Sequence, residues 1–196
     1  MISDQGFAKL DSQLAPWSER LHADLGVSAD AAPFLATTIA REVAALDPQV
    51  RLALRESQPV RLADRLDELK AFQGFMDFAS ASGGLPAIAR AQVIVQNYVC
   101  FVYLGESCFR DLRKALPPGV GRACCAYLTD NPVRAFRNAV AHANWRYRSD
   151  FAAIEFWARK GASLDEPIVK WEVSQGDLNF WQALARCTAY AAYISI

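Results

Sequence analysis

The stretch Asn97-Tyr98-Val99-Cys100-Phe101-Val102-Tyr103-Leu104 is the most apolar part of the chain and its reading decides the fold. It lies inside a longer segment, from about Pro86 to Leu116. There Ile94, Tyr98, Phe101 and Leu104 recur at three- and four-residue intervals, the spacing of one helical face. That spacing predicts a central core helix, closed by Pro117-Pro118-Gly119. The run is far shorter than the roughly 18 residues a membrane span needs. No basic region followed by an apolar stretch opens the chain at Met1-Ile2-Ser3-Asp4-Gln5. A cytoplasmic protein that neither spans a membrane nor is exported is expected.

The same periodicity extends in both directions. A helical segment from about Ser3 to Leu25 is interrupted at Pro16 and closed by Gly26. A second runs from about Ala31 to Leu46, with Ser28 or Asp30 as N-cap, and Asp47-Pro48 stops it. Ser57-Gln58-Pro59 opens a third, whose stripe is Leu62, Leu66, Leu69, Phe72 and Phe75 and whose end is Gly83-Gly84. After the central helix come two shorter ones, about Gly121 to Leu128 and Asn131 to Asn144. Thr129-Asp130-Asn131-Pro132 is expected to cap the second of them.

Beyond that point the period changes. Phe151 to Ala158 and Ile168 to Val173 alternate and are rich in β-branched and aromatic residues, which predicts a two-stranded hairpin whose loop holds Gly161 and Pro167. Ser174-Gln175-Gly176-Asp177 resembles a capping-box start, and Leu178, Trp181, Leu184 and Ala185 give the last helix its buried face. The expected fold class is all-α: a helical bundle over about residues 1–148, with a short hairpin and a C-terminal helix appended over about 149–196. With 196 residues, roughly 1.3 domains' worth at about 150 residues each, and no dividing linker, a single domain is expected.

Composition narrows the chemistry. Lys plus Arg number 21 and Asp plus Glu 21, so the chain as a whole does not blanket nucleic acid or anionic lipid with positive charge. The five cysteines, Cys100, Cys108, Cys124, Cys125 and Cys187, form no C-x-x-C pair and sit among apolar neighbours, as reduced core residues do. Two histidines far apart, His22 and His142, do not have the spacing of a zinc site, and no cofactor is expected. No P-loop, dinucleotide fingerprint, nucleophile elbow or H-E-x-x-H sequence occurs.

The charge is unevenly spread. Between Cys108 and Ser149 stand Arg110, Arg113, Lys114, Arg122, Arg134, Arg137, Arg146 and Arg148 against only Asp111 and Asp130. Arginine presents a planar fork of donors to phosphate oxygens, so this region is a candidate phosphate-facing surface, with an ordinary solvated face as the other reading. Within it lies Arg137-Asn138-Ala139-Val140-Ala141-His142-Ala143-Asn144-Trp145. At about 100° per residue Asn138 and His142 share a helical face, whereas Arg137 lies about 140° around from His142. Either the helix is distorted or ends near His142, or a second copy of the protein completes a site. In the preceding helix Glu106 and Arg110 are one turn apart and read as an i,i+4 ion pair, with a contribution to the site as the lesser alternative.

The R-N-x-x-x-H arrangement resembles the hallmark of the HEPN family (higher eukaryotes and prokaryotes nucleotide-binding), compact helical domains whose motif is Arg, four to six residues, then His. The resemblance covers little beyond residues 134–145 in sequence and the bundle in architecture. It implies a metal-independent endoribonuclease, acting as a homodimer in toxin-antitoxin, phage-defence or RNA-processing systems, with the motifs of both protomers meeting at a shared cleft. His142 would then be general base or acid, Arg137 would bind the phosphate, and Asn138 would orient a side chain or bond a phosphate oxygen. Arg134, Arg146 and Arg148 would track the RNA backbone and Trp145 would stack on a base or, as aromatics one turn past a motif more often do, pack against the bundle. A non-catalytic module that binds RNA, a nucleotide or a protein, such as the companion of a nucleotidyltransferase antitoxin, is the alternative. The third is an unrelated helical domain in which Arg137 and His142 only cap and pack.

Overall fold

A computed structural model describes residues 4–58, 64, 67, 94–150, 152–159, 165 and 167–196. These residues are mostly helical, with a small antiparallel sheet. Helix α1 spans Asp4–Leu14, and Pro16 sits in a 3-10 turn, Ala15–Trp17, that hands the chain to α2, Ser18–Leu25. Gly26, at φ 69°, takes the left-handed position that ends α2. The second expected segment begins as a turn held by Ser28, whose hydroxyl accepts from the Ala31 N–H, and becomes α3, Leu35–Ala44.

Asp47-Pro48 does more than stop that segment. The Asp47 carboxylate accepts from the Gln49 N–H at 2.8 Å and Pro48 occupies the first turn of a further helix, α4, Pro48–Glu56. Ser57 closes α4. Of the third expected helix, Asp64 and Asp67 are described and are helical, whereas Leu62, Leu66, Leu69, Phe72 and Phe75, its Gly83-Gly84 end and the start of the fourth from Pro86 lie outside the described residues. Gly161 of the hairpin loop does too.

From residue 94 to Ala115 the expected central helix is continuous in path but not in type. Two π-helical runs, Tyr98–Tyr103 and Gly105–Phe109, lead into α5, Arg110–Ala115. Phe101 and Leu104 are buried as expected, whereas Ile94 and Tyr98 are about half exposed. Each π turn carries i→i+5 bonds and so shifts the phase of the side chains beyond it, which a 3.6-residue stripe does not anticipate.

Helix α6, Val120–Thr129, starts where no side chain of its own can cap it, at Gly119. Glu42 of α3 supplies the acceptor instead, taking the Val120 and Gly121 N–H groups at 2.9 and 2.6 Å. Helix α7 is Val133–Ala141. Its expected cap is absent: Thr129 and Asp130 accept from Arg113, at 2.8 and 2.7 Å, in place of the α7 N-terminus.

The sheet has three strands, not two, in the order β1 (Trp145–Tyr147), β2 (Ala153–Arg159), β3 (Ile168–Ser174). Trp145 pairs with Phe156, and Phe156 with Trp171, so one row of aromatics crosses the face turned to α7. Phe156 meets Phe136 edge-on at 5.1 Å and stacks on Trp171 at 5.6 Å.

The last helix, α8 (Gln175–Tyr193), is no appendage. It is buried over most of its circumference and packs against α1, α3, α6 and the first π run. Small residues, Ala183, Ala185, Ala189, Ala191 and Ala192, let its neighbours approach closely, while Leu178, Phe180, Trp181, Leu184 and Tyr193 fill the space between. Ser174 caps it, accepting from the Asp177 N–H at 3.0 Å. All five cysteines are buried and none forms a disulfide, and burial pushes the Cys100 thiol up to about 11 and that of Cys124 to about 12. Among the described residues no helix is long and apolar enough to cross a membrane.

Candidate phosphate-binding site

Helix α7 buries Val133, Ala135, Phe136 and Ala139 and turns its other side outward. Phe136 anchors it: fully buried, it meets Phe101 of the first π run, Phe156 of β2 and Trp181 of α8. Arg137 follows directly and is thereby fixed at the boundary between core and solvent, its side chain 26% exposed.

The Arg137 guanidinium is held from two sides. Nε and Nη2 donate to the Asn138 Oδ1 at 3.2 and 2.6 Å, and Nη1 forms an ion pair with the Glu106 carboxylate. Glu106 also accepts from Arg110 at 3.3 Å, so its carboxylate bridges two arginines. The second π run places it there, with Gly105 beside the aliphatic stem of Arg137. A Cβ on Gly105 would stand 3.4 Å from Arg137 Cδ. Burial lowers the Arg137 pKa from its usual value, the expected direction for a cation withdrawn from water.

Asn138 therefore holds the Arg137 guanidinium in place. Its backbone carbonyl also accepts the His142 N–H at 3.1 Å, so Asn138 ties both ends of the motif together. α7 ends at Ala141, with His142 as the exposed C-cap residue. Ala143 takes the left-handed conformation at φ 56°, Asn144 N–H reaches back to the Ala139 carbonyl at 2.8 Å and Ala143 N–H to Val140 at 3.3 Å. These are the two bonds of a Schellman ending, made here by an alanine in the position that favours glycine.

A cleft of about 500 Å³ opens beside Arg137. The second π run, α5, α6 and α7 line it with Arg110, Arg113, Lys114, Arg122, Arg134 and Arg137, against Glu106 and Asp130. Six of the eight basic residues that cluster in sequence thus share one concavity. Arg113 pairs with Asp130, and Arg110 and Arg137 share the single charge of Glu106. Lys114, Arg122 and Arg134 have no carboxylate partner among the described residues. Such a cleft can take up anionic oxygens, and arginine forks suit phosphate best.

The other expected contacts lie elsewhere. Arg146 pairs with Glu155 at 2.6 Å on the outer face of the sheet, and Arg148 pairs with Asp150 and Glu172. Neither lines the cleft. Trp145 belongs to β1, half-buried against the core and edge-on to Tyr147 at 5.6 Å. His142 does not line the cleft either, so one chain brings Arg134, Arg137 and Asn138 together and leaves His142 at the end of the helix.

Glu106 is the site residue that sequence reasoning undervalued. Its spacing from Arg110 announced the i,i+4 pair, but the reach to Arg137 depends on the π phase and on the packing of α7 against it. Among the described residues no group of three or more His, Cys, Asp or Glu side chains is placed to hold a metal ion. No family model matches the chain, and neither a curated protein nor a solved structure matches it, so the site stands on its own geometry.

Proposed function

We propose that the protein is an HEPN-type endoribonuclease that cleaves RNA without a metal ion, in a composite site made by two protomers. The observation that carries this reading is the position of Arg137: oriented by Asn138, it stands at the edge of a cleft lined by six basic residues, on the helix that ends at exposed His142. In the reaction the RNA 2′-oxygen attacks the adjacent phosphorus as the bond to the 5′-oxygen breaks, leaving a 2′,3′-cyclic phosphate and a 5′-hydroxyl. One His142 removes the 2′-OH proton and the second protomer's copy protonates the leaving oxygen. A histidine side chain can serve as proton acceptor in the first task and as proton donor in the second. Arg137 stabilises the charge gathering on the phosphoryl oxygens. The homodimer is required because a single chain does not turn His142 into the basic cleft.

The pinning of Arg137 by Glu106 favours a second reading, a module that binds RNA, a nucleotide or a partner such as a nucleotidyltransferase antitoxin and does not cleave. Incubating total RNA in chelator with wild type, His142→Ala and Arg137→Ala, each confirmed as folded, separates the two. Cleavage by wild type alone supports the nuclease. Intact RNA throughout, with binding that His142→Ala preserves and Arg137→Ala weakens in a salt-dependent way, supports the module. A toxin or phage-defence role adds growth arrest on expression of wild type but of neither variant.

A further inference from the structure

Glu106 does not behave like an ordinary surface acid. It sits in a cleft whose other charges are predominantly positive, and its carboxylate bridges Arg110 and Arg137, the geometry a phosphate group would adopt between two guanidinium forks. Next to it Lys114, Arg122 and Arg134 have no carboxylate partner among the described residues, and the lining counts six basic residues against Glu106 and Asp130, so it keeps an excess of positive charge even with Glu106 in place. A carboxylate carries one charge; a phosphate group offers more acceptor oxygens to the same donors and to the neighbouring unpaired cations.

We propose that Glu106 is a resident stand-in for the ligand: it occupies Arg137 while the cleft is empty and gives Arg137 up when a phosphate group enters. The inference rests on reading Arg137 as a phosphate ligand, and it makes Glu106 a positioning residue for that arginine. Asn138 keeps hold of Nε and Nη2 throughout, so the guanidinium is released at Nη1 without losing its orientation. Glu106 stays paired with Arg110 after the exchange.

The shared chemistry is the phosphate group, which free pyrophosphate and a nucleic-acid backbone both carry. Titration calorimetry at one fixed low ionic strength, with inorganic pyrophosphate and separately with a DNA oligonucleotide, distinguishes the two sources. DNA has no 2′-OH, so binding is measured apart from cleavage, and loss of the nuclease reading leaves this result standing. An exposed ion pair holds its closed form over the open one by up to about 1 kcal/mol, and the apparent affinity falls with that occupancy. Glu106→Gln is therefore expected to tighten binding of the preferred probe by up to about sixfold. Glu106→Asp, one methylene short of Arg137, should tighten it by less. If the glutamine variant does not fold, the aspartate variant carries the test. In an Arg137→Ala background Glu106→Gln should give no such gain. Affinity at or below wild type for both Glu106 variants, an equal gain without Arg137, or binding of neither probe by any of these proteins would overturn the proposal.

Discussion

Removing the Glu42 side chain should unfasten one wall of the cleft. Its carboxylate takes two N–H groups at the start of α6, at 2.9 and 2.6 Å, from a position 78 residues earlier in the chain. Hydrogen bonds to charged groups contribute about 1.5–3 kcal/mol each, and a negative charge at a helix N-terminus adds about 0.3–1 kcal/mol. Glu42 is half-buried, so water replaces part of what is lost and the cost falls below the sum of these contributions, to about 2–3 kcal/mol for Glu42→Ala. At about 2–4 °C per kcal/mol for a domain of this size, the melting temperature should fall by about 4–12 °C. Glu42→Gln keeps one acceptor oxygen and should lose about half as much. Gly121→Ala is an independent check, because its Cβ would stand 2.8 Å from Glu42 Oε2 and push the carboxylate off its donors. Urea unfolding and thermal melts measure all three. A Glu42→Ala protein within about 0.5 kcal/mol of wild type, the range of ordinary surface substitutions, would refute this account of the α6 cap.

Other substitutions test the frame around the motif. Ala143→Gly relieves a left-handed alanine directly after His142 and should stabilise by about 0.5–1 kcal/mol; destabilisation in urea would contradict the Schellman ending. Phe136→Ala removes the fully buried ring joining α7 to the first π run, β2 and α8, and should cost about 3–5 kcal/mol by the same measurement, with less than about 1 kcal/mol counting against it as the anchor. Burial holds the Asp11 carboxyl above its usual 3.8, against the pull of its bond from the Ala36 N–H. The folded state therefore binds the proton more tightly, so this group's contribution is complete below 3.8 and is lost as the pH rises through the raised value. Asp11→Asn, which still accepts from Ala36, should be more stable than wild type at pH 7 and lose that advantage below pH 4, as read from melts across pH; an unchanged difference would refute it.

What could be read from the sequence was whatever a local signal fixes. Pro16 and Gly26 marked real breaks, Ser174 and Asp177 a real cap, and the alternation after Ala153 a real pair of strands. The misses share a cause, which is that long-range packing decided them. Asp47-Pro48 both ends one helix and starts another, and only the first meaning was drawn from it. Trp145-Arg146-Tyr147 is too short to alternate visibly and becomes a strand because β2 lies beside it. α7 was expected to run to Asn144, since no glycine signals the left-handed turn that Ala143 makes. The basic cluster was visible as composition, but that six of its members close around one cleft follows from the packing of α5, α6 and α7. The Glu106 to Arg137 pair needs the π phase as well, which leaves no recognisable trace in the spacing.

In the proposed cleavage, the ends of the RNA products identify the bond that breaks. A defined RNA incubated in chelator with wild-type protein, then analysed by mass spectrometry, should yield 2′,3′-cyclic phosphate and 5′-hydroxyl ends. One 2′-deoxy substitution at the cleaved position, or His142→Ala, should abolish them. Products bearing 3′-hydroxyl and 5′-phosphate ends, cleavage that survives the deoxy substitution, or RNA left whole by wild-type protein would contradict a 2′-OH attack organised by Arg137 and His142.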